Sequence, residues 1–258
     1  MLAETWLRVK PAAPGCRILF LPSKIMKTEN QEYSVIWSWE LPEKLSGICV
    51  IIDVLAATTN IVRFLDDGVA NLFAVSERSV EQGKSAYPDS LVIGESSVLP
   101  ASFFAASNHP ADIRRINVKG KTVLYMTSNG TRAVSRALGA GAGMVVTASY
   151  QNLAAVKGWL ARTGVSRITV VAAGERSFSD PEVPEDRACA NLLSSPRNDW
   201  PSDWHKYFDN LTREIRNRYT GGLREEDLPF VTTANRSGIV PVCRPEGDGM
   251  IRISDIIR

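Results

Sequence analysis

Val50-Ile51-Ile52-Asp53-Val54-Leu55-Ala56-Ala57-Thr58-Thr59 is the stretch on which the reading of the fold turns. Residues 48–54 are almost continuously apolar and rich in β-branched side chains, the pattern of a strand buried on both faces. Asp53 interrupts the run near its end. Thr58 or Thr59 offers a cap for a helix running to Asp67, which Gly68 closes. A buried strand feeding straight into a helix is the opening half of a βαβ unit.

The alternation continues outward. Strands are expected at 70–75, 91–93, 122–126, 144–147 and 168–172, with helices at 131–138 and 152–162. Ser79 and Gln82 have capping-box spacing for a short helix. Residues 96–117 read as a long loop. Pro184, followed by Glu185 and Asp186, has the composition of a first helical turn. Residues 203–218 read as an amphipathic helix, and Val231 and 239–243 as late strands. Repeated alternation predicts an α/β fold, three-layer α/β/α with a largely parallel sheet. Residues 1–33 show no period and are expected to form an N-terminal extension, with a strand at 17–21. Residues 34–258 then make a single α/β domain.

Composition narrows the function. A net charge of +2, with Lys and Arg scattered, argues against a general nucleic-acid binder. No apolar run approaches the ~20 residues that span a bilayer, and residues 1–10 lack a signal core. The expected place is the cytoplasm, without membrane or nucleic-acid partners; assembly into a homo-oligomer stays open. Cys16, Cys49, Cys189 and Cys243 are far apart and no His lies at ligand spacing, which argues against structural zinc. The cysteines read as reduced thiols; Cys189 reads as buried and inert or as a thiol near the site, His109 as a surface loop side chain or a base, and His205 as a surface side chain.

The chemistry lies where strands end. Asp53, Glu95, the turn Thr127-Ser128-Asn129-Gly130-Thr131 and the pair Gly174-Glu175 each follow or close a strand. Open α/β sheets bind ligands beyond the carboxyl ends of their strands, so these clusters are expected to meet. In the 127–131 turn Gly130 lets backbone approach a ligand, and the helix start offers N–H groups to a phosphate, with Arg132 as a further donor. The same turn also reads as an ordinary helix cap, and it is not a P-loop. A buried Asp53 needs a cation, a donor network or solvent. A hard divalent ion such as magnesium, which takes oxygen ligands, answers that need; a cap on the following helix answers it too. Glu95, Glu175, Glu185 and Asp186 can complete the carboxylate set, although each alone also reads as a solvated charge.

The ordered motifs resemble the 2-phosphosulfolactate phosphatase family. The opening stretch is similar to its V-I-D-V-L-R-A-T-T signature, and Gly94-Glu95 to its Gly-Glu. Asn108 and Pro110 match its G-N-S-P. Residues 127–133 resemble T-T-N-G-T-R-A, and Glu185-Asp186 with Cys189-Ala190 resembles E-D-x-x-C-A. The resemblance implies a magnesium-dependent hydrolase that converts 2-phosphosulfolactate, a small anionic phosphoester, to sulfolactate in coenzyme M biosynthesis. It implies Asp53, Glu95, Glu185 and Asp186 as catalytic carboxylates, with Asp53, Glu95 and Asp186 on Mg2+. It implies Thr58, Thr59, Thr127, Ser128, Asn129, Gly130, Thr131 and Arg132 around the phosphate. The chain departs from the pattern at Ala56, where the signature has Arg, at Ser96, Ala105 and His109. Arg132, Arg176 and Arg187 are candidates to supply the missing charge. The alternative is a family member that binds a small anion without turnover.

Overall fold

The computed structural model describes residues 24–27, 30–175, 180–195, 200–219 and 223–256. In chain order the elements are β1 (Lys24–Lys27), β2 (Glu32–Trp37), β3 (Ile48–Ile52), α1 (Ala57–Asp66), β4 (Asn71–Ala74), α2 (Val80–Ala86) and β5 (Leu91–Gly94). There follow α3 (Pro110–Ile113), β6 (Thr122–Met126), α4 (Gly130–Gly139), β7 (Met144–Ala148), α5 (Leu153–Arg162) and β8 (Arg167–Ala172). The chain ends with α6 (Pro184–Ser194), α7 (Trp204–Arg218), α8 (Leu228–Val231), β9 (Pro241–Pro245) and β10 (Ile251–Asp255).

Side-chain alternation along β3 divides the core into layers. Ile48, Val50 and Ile52 pack with Leu153 and Val156 of α5, Cys189 and Leu193 of α6, and Leu211 and Ile215 of α7. Cys49 and Ile51 face the other way, onto Ile61 and Phe64 of α1 and Val134 and Ala137 of α4. Because every β3 side chain is buried, the strand must be apolar throughout. The result is the expected α/β/α layering.

Among the described residues ten strands form one sheet in the order β1-β2-β8-β3-β7-β9-β10-β4-β6-β5. The run β2-β8-β3-β7 is parallel, as is β4-β6-β5. Between them stands an antiparallel insert: β9 pairs with β7 and β10, and β10 pairs with β4. Counting pairings, the second parallel set runs in the opposite sense to the first. Sheet twist of roughly 20–25° per strand accumulates over the five steps from β3 to β6 to roughly 100–125°. The carboxyl ends of β6 and β3 come together all the same, since Gly130 after β6 stands against Asp53 after β3, with α1 and α4 packed across β7 and β9.

Several local expectations are corrected. The boundary placed after residue 33 falls inside β2, and β1 precedes it, so Lys24–Lys27, Glu32 and Tyr33 supply sheet rather than an extension. The strand expected at 17–21 lies outside the described residues. Ser79 precedes α2, but its hydroxyl accepts from the Ser76 N–H (3.0 Å) and forms no capping box with Gln82. Val231 closes α8 rather than forming a strand. Neither β10 nor the short α3 inside the 96–117 loop was expected.

Candidate active site

The β3–α1 turn is built from its own hydroxyls. Thr58 Oγ1 donates to the Asp53 carbonyl (2.8 Å) and accepts from the Asp53 N–H (3.1 Å). Thr59 Oγ1 donates to the Val54 carbonyl (2.7 Å). Both threonines are buried inside α1 rather than capping it. Asp53 itself takes the cap: its Oδ1 accepts from the Ala57 N–H (3.2 Å). Thr58 and Thr59, expected at the phosphate, are therefore committed to holding Asp53 in place. The Leu55–Ala56 peptide in this turn is cis.

Asp53 also opens onto a cleft of about 240 Å³. Leu55 and Ala56 continue its wall from β3. Glu95 enters after β5, Thr127 and Asn129 after β6, and Glu175 after β8. Asn108 and His109 come from the 96–117 loop, and Arg224 and Asp227 from the segment after α7. The strand-end clusters thus meet, as expected. Asn129 Nδ2 donates to Glu175 Oε2 (3.0 Å) across the cleft, and Arg132 Nη2 donates to Asn129 Oδ1 (2.9 Å). Thr127 Oγ1 accepts from the Thr131 N–H (3.0 Å) and so caps α4.

Gly130 explains how closely α4 approaches. A Cβ at this position would lie 2.6 Å from Ala57 Cβ and 2.9 Å from Asp53 Oδ2. Only glycine lets the first turn of α4 stand directly over the carboxylate.

Other expected residues lie elsewhere. Glu185 and Asp186 are buried outside the cleft lining. Asp186 accepts from the Val54 N–H at Oδ1 (2.7 Å) and from the Gly174 N–H at Oδ2 (2.9 Å), clamping the ends of β3 and β8 together. Expected on the metal, Asp186 does not line the cleft, and its two backbone bonds give it a positioning role. Glu185 Oε1 accepts from Tyr219 Oη (2.6 Å), while Oε2 is buried with no hydrogen-bond partner among the described residues. Ser128 reaches the site by its backbone, donating its N–H to Glu95 Oε1 (3.4 Å). Arg187 lies away from the cleft, over the Trp37 ring with its Nη1 toward the Val35 carbonyl. Arg176 lies outside the described residues. Arg224 is the arginine that sequence reasoning missed: it lines the cleft and grips Asp112 with two bonds (2.7 and 3.0 Å).

Charge in the cleft is lopsided. Asp53, Glu95, Glu175 and Asp227 face Arg224 and His109. Burial first, and then the charges of Glu175, Glu95 and Glu185, push the Asp53 carboxyl up to about 7 against the Ala57 N–H bond. Burial likewise pushes Glu185 up to about 7, opposed by its Tyr219 bond. Burial and the charges of Asp53 and Glu185 hold Asp186 well above the ordinary carboxylate range, against its two backbone donors. These carboxylates repel one another, and a cation among them would relieve that strain.

A hard divalent cation suits this all-oxygen set. Among the described residues no three Asp, Glu, His or Cys side chains are grouped closely enough to ligate one ion. Magnesium does not require such a cage, since it keeps several waters and is held by one or two carboxylates plus a substrate phosphate. Asp53, Glu95 and Glu175 are the cleft carboxylates fitted to that role. The three described cysteines, Cys49, Cys189 and Cys243, are free and buried, and among the described residues no helix is long and apolar enough to cross a membrane. His205 pairs with Asp209 (3.0 Å) on the surface of α7, as its sequence reading has it.

Fold and cleft together define a class: an α/β protein that gathers acidic side chains at strand carboxyl ends around a small-ligand site. Comparison with known proteins narrows it. The family described as 2-phosphosulpholactate phosphatase matches residues 38–246, and the chain belongs to it, a family of phosphoric monoester hydrolases. Relatives each named "Probable 2-phosphosulfolactate phosphatase" include one from Symbiobacterium thermophilum, 34% identical over 71% of this chain and 78% of its own. One from Caldanaerobacter subterraneus is 29% identical over 87% of this chain and 96% of its own. One from Thermoplasma acidophilum is 28% identical over 75% and 84%.

Proposed function

We propose that this protein is a magnesium-dependent phosphatase that hydrolyses a small phosphomonoester, 2-phosphosulfolactate or a close analogue, to alcohol and phosphate. One observation carries the reading: Asp53, buried beneath the α4 N-terminus, shares its cleft with Glu95 and Glu175. A phosphate dianion cannot enter so acidic a cleft unless a cation accompanies it.

Bound magnesium would neutralise the transferring phosphoryl group and polarise a water. The chain's own residues supply the rest. The Ala57 N–H holds the Asp53 carboxylate, while Thr58 and Thr59 fix the backbone at Asp53 and Val54. Gly130 and Thr127 set the α4 turn against it. Asn129 holds Glu175 at the rim, and Arg224 brings positive charge to the opposite segment.

A second reading, an anion binder without turnover, is favoured by Ala56, which lines the cleft where the family signature carries arginine. Phosphate release from a panel of small phosphomonoesters, with magnesium and then with chelator, separates the two. Turnover that chelator abolishes, and that Asp53→Asn lowers by about 10²–10⁴-fold, supports the enzyme. Stabilisation by inorganic phosphate without release from any ester supports the binder.

A further inference from the structure

His109 stands on the cleft in an arrangement that surface exposure alone does not explain. Its Nδ1 lies 2.7 Å from Oδ2 of Asp227, which is 1% exposed. The other Asp227 oxygen accepts from the Ala111 N–H (2.9 Å), so the carboxylate cannot swing away. Arg224, beside it, is engaged by Asp112 and Glu226. The loop that carries His109 is pinned as well. Asn60 Nδ2, in the buried first half of α1, donates to the Asn108 carbonyl (2.8 Å) and to Tyr125 Oη (3.0 Å), and Tyr125 Oη donates to Asn108 Oδ1. An imidazole anchored to a buried carboxylate through Nδ1 presents Nε2 as its one nitrogen able to meet a ligand, and this ring lines the ligand cleft.

We propose that His109, oriented by Asp227, is the general acid that protonates the departing alcohol in the hydrolysis of a phosphomonoester. This rests on the phosphatase reading above and adds a catalytic residue to it. Water oxygen forms the new bond to phosphorus as the bond from phosphorus to the ester oxygen breaks. The electron pair of the broken bond stays on the ester oxygen, which takes the proton from Nε2–H of the imidazolium. One proton of the attacking water passes to a phosphate oxygen, and the neutral imidazole regains its proton from solvent. Asp227 keeps Nδ1 protonated throughout and stabilises the cationic ring; Asp112 adds negative charge nearby and Arg224 opposes it.

The test uses two leaving groups. An alkyl ester such as 2-phosphosulfolactate needs its leaving oxygen protonated, whereas 4-nitrophenyl phosphate expels a stable phenolate. His109→Gln is expected to lower kcat on the alkyl ester by about 10²–10⁴-fold and on the aryl ester by less than about threefold. Asp227→Asn, which retains an acceptor for the Ala111 N–H, is expected to show a smaller loss with the same selectivity. The His109 ring is 41% exposed and glutamine can still donate to the buried Asp227, so the variant is expected to fold, which an unchanged Tm checks. Equal losses on both esters would assign His109 to binding or packing and overturn the proposal alone. Wild-type protein that hydrolyses neither ester would overturn the phosphatase reading and this proposal with it.

Discussion

At the scale of single residues, the site depends on what each side chain already touches. Gly130 is the sharpest case, because the space a methyl group would need is filled by Ala57 and by Asp53 Oδ2. Gly130→Ala is expected to cost about 1–3 kcal/mol, as overpacking in a tight core does. Melting should drop by several degrees, and phosphate release should fall with it as Asp53 is displaced; an unchanged Tm and rate would show that α4 does not press on the carboxylate. Asp53 was legible in the sequence because a carboxylate at the end of an apolar run demands a partner. The roles of Thr58 and Thr59 were not, since a hydroxyl reads alike whether it meets phosphate or a backbone carbonyl. For His109 a base role stood beside a surface reading, but what orients it was illegible: its partner Asp227 is 118 residues away, and no local pattern links them.

At the scale of elements, α6 shows how a helix ties strands together. Glu185 and Asp186 are neighbours in sequence but point to different partners, as positions about 100° apart on a helix must. Asp186 reaches the ends of β3 and β8, and Glu185 reaches Tyr219. The adjacent acids could be placed on a first helical turn from Pro184 alone, but which partner each one meets is decided by packing. Asp186→Asn replaces one acceptor oxygen with an NH2 group facing a backbone N–H. The loss is expected to be about 1–3 kcal/mol by denaturant unfolding, the cost of a buried donor left unpaired. Stability unchanged by the substitution would mean that the Val54 and Gly174 N–H groups find other partners. Strand positions were well read because β3, β6, β7 and β8 are nearly all buried, and burial on both faces leaves a continuous apolar signature.

At the scale of the whole molecule, the sheet brings its two parallel sets to one cleft by a route that periodicity does not encode. The β9–β10 insert comes from the last residues of the chain yet sits mid-sheet, reversing the sense of β4-β6-β5. Strand order is set by which edges pair, and alternation alone is silent on that. Convergence has an electrostatic consequence. Asp53 and Glu185, raised to about 7, favour their protonated forms in the folded state. Without a cation their contribution to stability is fully present below the ordinary carboxylate pKa and is lost as pH rises toward and through 7. A cation bound at Asp53 favours the ionised form, so it should stabilise the protein more at pH 8 than at pH 5. Thermal unfolding with and without magnesium across that range, for wild type and Asp53→Asn, tests the central claim that this cleft seats a divalent cation. The account predicts a magnesium-induced rise in Tm that grows with pH in wild type and vanishes in Asp53→Asn. An equal rise in both proteins, or none in wild type at pH 8, would contradict it.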